Sequence, residues 1–324
     1  MVGRRVPRGC LGALLAVLAI ACVGCASTRR PAFSETPPAP ESTVYPTVAR
    51  GCSCAVAPVA ARWFQHVLII VLENQDYQDA INNRYLGRLA EEGASFINFH
   101  GLFHPSYSNY LAIVAGKPIP TTHDRQKDLN ECTIGDLMQA RGLSWKNYAQ
   151  GYPVRPGPDS NSDQCFRDSF AGRYARKHVP FLSFTPVQQH ECANVVTASQ
   201  LNKDISKGMQ PDYAFYTPDL DNDGHDTSLA YATKWLQNFL EPLRQDQTFM
   251  KGTLIIVTFD ESRSRSAGTS NHIYTVFLGP MVRRQQLAEA YNQYDVLRTI
   301  EENFGLCQLG VGDDGAKPIT SVWR

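Results

Sequence analysis

His66-Val-Leu-Ile-Ile-Val-Leu72, with Glu73-Asn74 directly behind it, is an apolar run without polar alternation. That pattern belongs to a strand buried on both faces of a parallel sheet, with helices covering each side. Gly252-Thr-Leu-Ile-Ile-Val-Thr-Phe259 repeats it and is followed at once by Asp260-Glu261. Ile273-Tyr-Thr-Val-Phe-Leu278 predicts a third strand and Asp212-Tyr-Ala-Phe-Tyr216 a shorter one. Helical patterns lie between them, over 85–92, 108–115, 134–141 (Thr133 as N-cap), 228–243 and 294–303. Strands alternating with helices predict an α/β domain with a mainly parallel central sheet. The Pro-rich segment 150–192 carries neither pattern and is expected to sit over one end of that sheet.

Outside this core the chain changes character. Arg4, Arg5 and Arg8 precede an apolar run from Leu11 to Val23, the order of an export signal over 1–25 and short for a membrane anchor. Val23-Gly24-Cys25 resembles the end of a bacterial lipoprotein signal, which would lipidate Cys25 and tether the protein to a membrane. Cys22 stands where a Leu is usual, and cleavage near Ala26 is the competing outcome. Residues 26–62, rich in Pro, Ser, Thr and Ala, read as a tether, and 63–324 as a single folded domain. Past the signal six cysteines remain: Cys52, Cys54, Cys132, Cys165, Cys192 and Cys307. In an exported protein they predict up to three disulfides, a better reading than a Cys52-x-Cys54 metal pair with no second pair to complete it. The 324 residues are 43% hydrophobic and carry 31 basic and 31 acidic side chains, so no global field draws the protein to nucleic acid. Attraction for a phosphate has to be local.

In a parallel sheet, ligands collect beyond the carboxyl ends of the strands. Glu73-Asn74 and Asp260-Glu261 both fall there. Four oxygen donors from two strand ends suit a hard divalent cation such as Mg²⁺, Ca²⁺ or Mn²⁺. The competing reading, acids that cap helices or face solvent, weakens when two such pairs each follow a hydrophobic strand. His272 precedes the next strand and would enter it from the opposite end unless the loop folds back. In His104-Pro-Ser106-Tyr-Ser108-Asn109, a loop with Ser106 leads into an apolar helix, whose positive end would hold an incoming phosphate and acidify the hydroxyl. Asn109, one turn on, is placed to donate to phosphoryl oxygens. The ordinary alternative is that Ser106 or Ser108 is an N-cap.

The stretch Asp219-Leu-Asp221-Asn222-Asp223-Gly224-His225-Asp226 begins like an EF-hand loop, but Ala230 stands where its bidentate Glu belongs. It suits a general acid better: His225 to protonate a leaving alkoxide, and Asp226 to orient the imidazole. Arg263 and Arg265 read as a solvated loop that could reach a headgroup. His66, His100, His123, His178 and His190 lie in no motif and read as structural or surface residues.

Taken in order, Glu73-Asn74, His104-Pro-Ser106-x-x-Asn109-Tyr110, Pro211-Asp212-Tyr213, Asp223-Gly224-His225-Asp226 and Thr258-Phe259-Asp260-Glu261 with Asn271-His272 resemble the phosphoesterase family of bacterial acid phosphatases and phospholipases C. That family lies within the alkaline phosphatase superfamily. The resemblance spans 66–304 and implies an alkaline-phosphatase-like three-layer core and a phosphoserine intermediate on Ser106. It implies that Glu73, Asn74, Asp260 and Glu261 hold a metal, that Asn109 steadies the phosphoryl oxygens, and that His225 protonates the leaving group. His104 and His272 match histidines near the phosphate. The zinc phosphatases of the superfamily use more His and Asp ligands than this chain offers. The sulfatase signature is broken by Ser108 and Tyr110. The expectation is an exported, metal-dependent phosphatase acting on a small-molecule or lipid-headgroup phosphomonoester. A phospholipase C or other phosphodiesterase is the alternative within enzymes, and a surface phosphate-binding protein without turnover the alternative outside them.

Overall fold

A computed structural model describes residues 52, 60–122, 125–153, 165–264 and 270–324. The 1–25 signal, the tether apart from 52 and 60–62, His123 and Arg265 lie outside these residues. Among the described residues, no helix is long and apolar enough to cross a membrane.

Eight strands form one sheet: β1 (His66–Leu72), β2 (Ala94–Phe96), β3 (Trp145–Ala149), β4 (Val195–Thr197), β5 (Tyr213–Thr217), β6 (Thr253–Phe259), β7 (Thr275–Leu278) and β8 (Gln285–Leu287). Their order is β8-β2-β7-β6-β1-β5-β3-β4. Every pairing is parallel except the two that β7 makes, with β6 and with β2. The unbroken apolar runs take the middle of the sheet: β1 lies between β6 and β5, and Val67–Leu72 are all buried. Reversal of β7 settles where His272 goes. Thr275 pairs with Thr258, so β7 begins at the edge where β6 ends, and His272 shares that edge with Asp260-Glu261.

Helices flank the sheet in two groups. Ser106–Ala115, Ile134–Ala140 and Gln293–Phe304 pack together, as do Arg84–Glu92 and Leu229–Gln245. Thr133 forms the expected cap as half of a capping box with Asp136, and Ser228 caps through the Tyr231 N–H. The helix expected from Ser108 begins two residues earlier, at Ser106, with Pro105 as N-cap. Neither serine is a cap, since the Ser108 hydroxyl bonds to Thr121 Oγ1 at 2.9 Å and Ser106 points elsewhere. All ten residues of Ser106–Ala115 are buried.

The described part of 150–192 covers the carboxyl edge of the sheet, as expected. Gln150 N donates to Thr217 O, and Thr217 Oγ1 donates to His178 O at 2.9 Å, which ties the turn Arg176–His178 to the end of β5. Disulfides join Cys52 to Cys132 and Cys165 to Cys192, and Cys307 is also disulfide-bonded. A Cys52-x-Cys54 metal pair is thereby excluded.

One buried acid lies far from this edge. Glu301, on the helix Gln293–Phe304, is fully buried beside Asp313, and burial with that neighbouring charge pushes its pKa up to about 10. A carboxyl raised on folding binds more protons in the native state. Stability from it is therefore complete below the unfolded value and declines as pH rises towards 10. Glu301→Gln, neutral at every pH, should flatten that decline and stabilise the protein at pH 7 by on the order of 2 kcal/mol. Thermal melts of both proteins from pH 5 to 9 check this.

Candidate active site

Ser106 stands at the first turn of its helix, facing the ends of β1 and β6. Its hydroxyl donates to Glu73 Oε2 at 3.0 Å and lies 3.4 Å from both Asn74 Oδ1 and Glu261 Oε1. Asn74 N donates to Asp260 Oδ1 and Asn74 Nδ2 to Glu73 Oε2, both at 3.0 Å, so one residue links the two acidic strand ends. To do so Asn74 takes a φ of 46°, left-handed backbone that costs a non-glycine residue about 1 kcal/mol or more. Asn271, at φ 48°, similarly accepts from Ser262 N at 2.7 Å and donates to Phe103 O at 3.1 Å. The backbone packs so closely here that a side chain at Gly101 would meet Asn271 Nδ2 at 2.7 Å and Asp260 O at 2.9 Å.

Four carboxylates crowd this edge with almost no exposure: Glu73, Asp223, Asp260 and Glu261. Burial, then the charges of Asp260 and Asp223, holds Glu73 well above the usual carboxylate range. Burial and the Glu261 charge push Asp260 up to about 7, and burial pushes Asp223 to about 7 as well. Asp260 Oδ2 makes no strict hydrogen bond, although the Ser106 hydroxyl is near enough to hold its pKa down somewhat.

His178, read from the sequence as structural or surface, is wholly buried in this cluster. Its Nε2 lies 3.1 Å from Glu73 Oε1 and its Nδ1 3.2 Å from Asp223 Oδ2. Its ring stacks on Tyr110 at 5.0 Å. The imidazole so ties the end of β1 to the 219–226 loop, whose backbone also reaches in through Glu73 N to Asp223 O. Gly224 takes a φ of 97°, open to glycine, as the loop turns past Ala232. The Asp223 side chain therefore points inward and accepts from His225 N at 2.7 Å.

His225 Nδ1 meets Asp226 Oδ1 at 2.7 Å, the pairing expected for an oriented imidazole, and its ring lies 6.2 Å from that of His178. His104 Nδ1 meets Glu261 Oε2 at 2.7 Å. Asn109 serves the loop that precedes its helix. Its Oδ1 accepts from Leu102 N and Phe103 N, and its Nδ2 donates to Phe103 O, so it braces the loop that leads to Ser106. His272 stacks on Tyr77 at 4.1 Å and faces His100 at 5.3 Å, on the same edge. Burial and His100 lower its pKa. Arg263 is exposed.

The sequence model of the phosphoesterase family matches residues 79–307. The chain belongs to the phosphoesterase family. It is 33% identical over 304 residues to a probable acid phosphatase of Kluyveromyces lactis, covering 91% of this chain and 70% of that one. It is also 32% identical over 279 residues to a phosphatidylinositol-3-phosphatase of Mycobacterium tuberculosis, covering 83% and 86%. Among solved structures, a Vibrio parahaemolyticus protein in the alkaline phosphatase superfamily aligns with a TM-score of 0.55 at 14% identity, covering 81% of this chain and 72% of that one. The fold is thus alkaline-phosphatase-like, and the chain is a phosphatase acting on phosphate esters.

The oxygen set of this phosphoesterase fits a hard divalent cation. Burial and mutual repulsion raise the pKa values of these carboxylates despite the nearby charge of Lys177, and a cation would supply further counter-charge. Among the described residues no three His, Cys, Asp or Glu side chains close on one point as a finished cage. The donors nearest the Ser106 oxygen include the Asn74 amide, which suits Mg²⁺, Ca²⁺ or Mn²⁺ better than Zn²⁺.

Proposed function

We propose that this phosphatase hydrolyses phosphomonoesters through a phosphoserine on Ser106, with a divalent cation held by Glu73, Asn74, Asp260 and Glu261. The observation that carries this is the Ser106 hydroxyl donating to Glu73 Oε2 at 3.0 Å while facing Asn74 and Glu261. When bound, the cation supplies charge neutralisation for phosphoryl oxygens and acidifies the hydroxyl.

The chain's own groups do the rest. Ser106 Oγ attacks phosphorus and its proton passes to Glu73. The bond from phosphorus to the leaving oxygen breaks, and His225, oriented by Asp226, gives that oxygen a proton. Water then attacks the phosphoserine with His225 as base, the bond between Ser106 Oγ and phosphorus breaks, and the hydroxyl recovers its proton. Asn109 holds the 102–104 loop and His178 holds Glu73 against Asp223, so both act by positioning. The Mycobacterium tuberculosis relative, a phosphatidylinositol-3-phosphatase by name, extends the substrate class to lipid-headgroup phosphomonoesters. Disulfides among the described residues favour a location outside the cytoplasm, in keeping with the signal-like 1–25 segment.

The test combines metal analysis with phosphate release. Purified protein should contain about one equivalent of divalent metal, chelation should remove at least about 99% of activity, and Mg²⁺, Ca²⁺ or Mn²⁺ should restore it. Full activity in metal-free protein would overturn the reading.

A further inference from the structure

A cavity of about 280 Å³ is lined by Tyr107, Arg125, Gln126, Ser169, Phe170, Arg176 and Lys177, with Tyr107 one residue beyond Ser106. Two of its lining residues adjoin the site in sequence. Tyr107 follows Ser106 on the helix and is anchored through its hydroxyl to Ser183 at 2.7 Å. Lys177 precedes His178, and its charge reaches both Glu73 and Asp223. A rigid wall comes from Arg176, fully buried and held by Asp128 Oδ1 at 2.6 Å, Leu182 O at 2.6 Å and Arg167 O at 2.8 Å.

The lining holds three cations and no acid. The charge of Arg176 is answered by Asp128, whereas the guanidinium of Arg125 is exposed and has no ion pair or side-chain hydrogen bond among the described residues. Phe170, 59% exposed, is an apolar face left in water next to these cations. An exposed ring beside a guanidinium with no ion pair among the described residues is a setting for a ligand that is flat or compact and anionic. The volume lies below the roughly 300–1,000 Å³ of pockets for drug-sized ligands, which suits a sugar-sized polyol and leaves no room for an acyl chain.

We infer that this cavity is a leaving-group subsite that holds a second phosphate carried by the alcohol being released, with Arg125 as the residue that selects for it. The inference rests on the reading of Ser106 as the point where phosphorus is attacked. It makes bisphosphorylated polyols, free or as lipid headgroups, preferred over simple monoesters.

The probe pair is fructose 1,6-bisphosphate and fructose 6-phosphate, titrated calorimetrically into Ser106→Ala protein so that neither is turned over. The bisphosphate should bind about tenfold tighter. Adding Arg125→Gln should reduce that advantage to about twofold or less, and Arg125→Lys should restore part of it. Equal affinities, or an advantage that survives Arg125→Gln, would overturn the subsite. Binding to vesicles containing phosphatidylinositol 3-phosphate forms a second arm. Given the bisphosphate advantage, Arg125-dependent vesicle binding marks a headgroup as the source, and its absence marks a free polyol. Phosphate release from phenyl phosphate by the unaltered protein, which offers no second anion, reports separately on the Ser106 mechanism.

Discussion

Ser106→Ala should lower phosphate release by about four orders of magnitude or more while the protein still melts cooperatively. The size of the effect follows from what the hydroxyl does. In the proposed mechanism it is the atom to which phosphorus transfers, and neither Glu73 nor Glu261 takes its place as nucleophile once it is deleted. The cost to the fold is small by comparison. Glu73 Oε2 keeps the Asn74 Nδ2 donor at 3.0 Å, and the hydroxyl contributes one hydrogen bond worth about 1–3 kcal/mol to a buried carboxylate. Loss of activity with a near-native melt therefore separates nucleophile from structural serine. Rapid acid quench should also trap phosphate on Ser106 in the unaltered protein and none in the variant. An active Ser106→Ala protein would remove the mechanism.

The parts of this arrangement that could be read in advance are those the chain writes locally. β1 and β6 lie in the sheet interior, so nothing in them alternates, and an unbroken apolar run is visible without knowledge of neighbours. Acids directly after such runs were readable for the same reason, because a parallel sheet brings its carboxyl ends to one edge. Short outer strands were not. Ala94-Ser-Phe96 and Gln285-Gln-Leu287 are three residues each and become strands only by pairing with β7 and with each other. The reversed direction of β7 was likewise hidden, since Thr275–Leu278 reads the same either way, and it alone brings His272 to the edge. His178 was missed for a related reason. Its partners Glu73 and Asp223 lie far off in sequence, and the turn Arg176–His178 has no periodicity of its own. The one available signal was its place, a histidine following two cations in the segment expected to cover that edge. Asn109 adds a local tie that the motif did not announce: its amide also bonds Phe103 and shapes the loop before Ser106.

His225→Asn should divide substrates by their leaving group. For an alkyl phosphate, where the departing alkoxide needs a proton, kcat should drop by about 10²–10⁴. For p-nitrophenyl phosphate the departing oxygen needs little help, so formation of the phosphoserine should remain fast. Its hydrolysis should then become the slow step, because the same imidazole is the base that activates water. A burst of nitrophenolate equal to the enzyme, followed by slow turnover, is the expected trace. Two contacts hold this residue: Asp226 Oδ1 meets the ring Nδ1 at 2.7 Å, and the Asp223 carboxylate accepts from the His225 N–H at 2.7 Å. Substitution here should leave the fold in place, since the side chain is 36% exposed. Asp226→Asn should show the same division more weakly, as an imidazole without its orienting carboxylate still exchanges protons but in more than one pose. A loss equal on both substrates, with no burst, would mean that the imidazole only binds phosphate and that the leaving-group proton comes from elsewhere on this edge, with His104, 2.7 Å from Glu261, the next group to test.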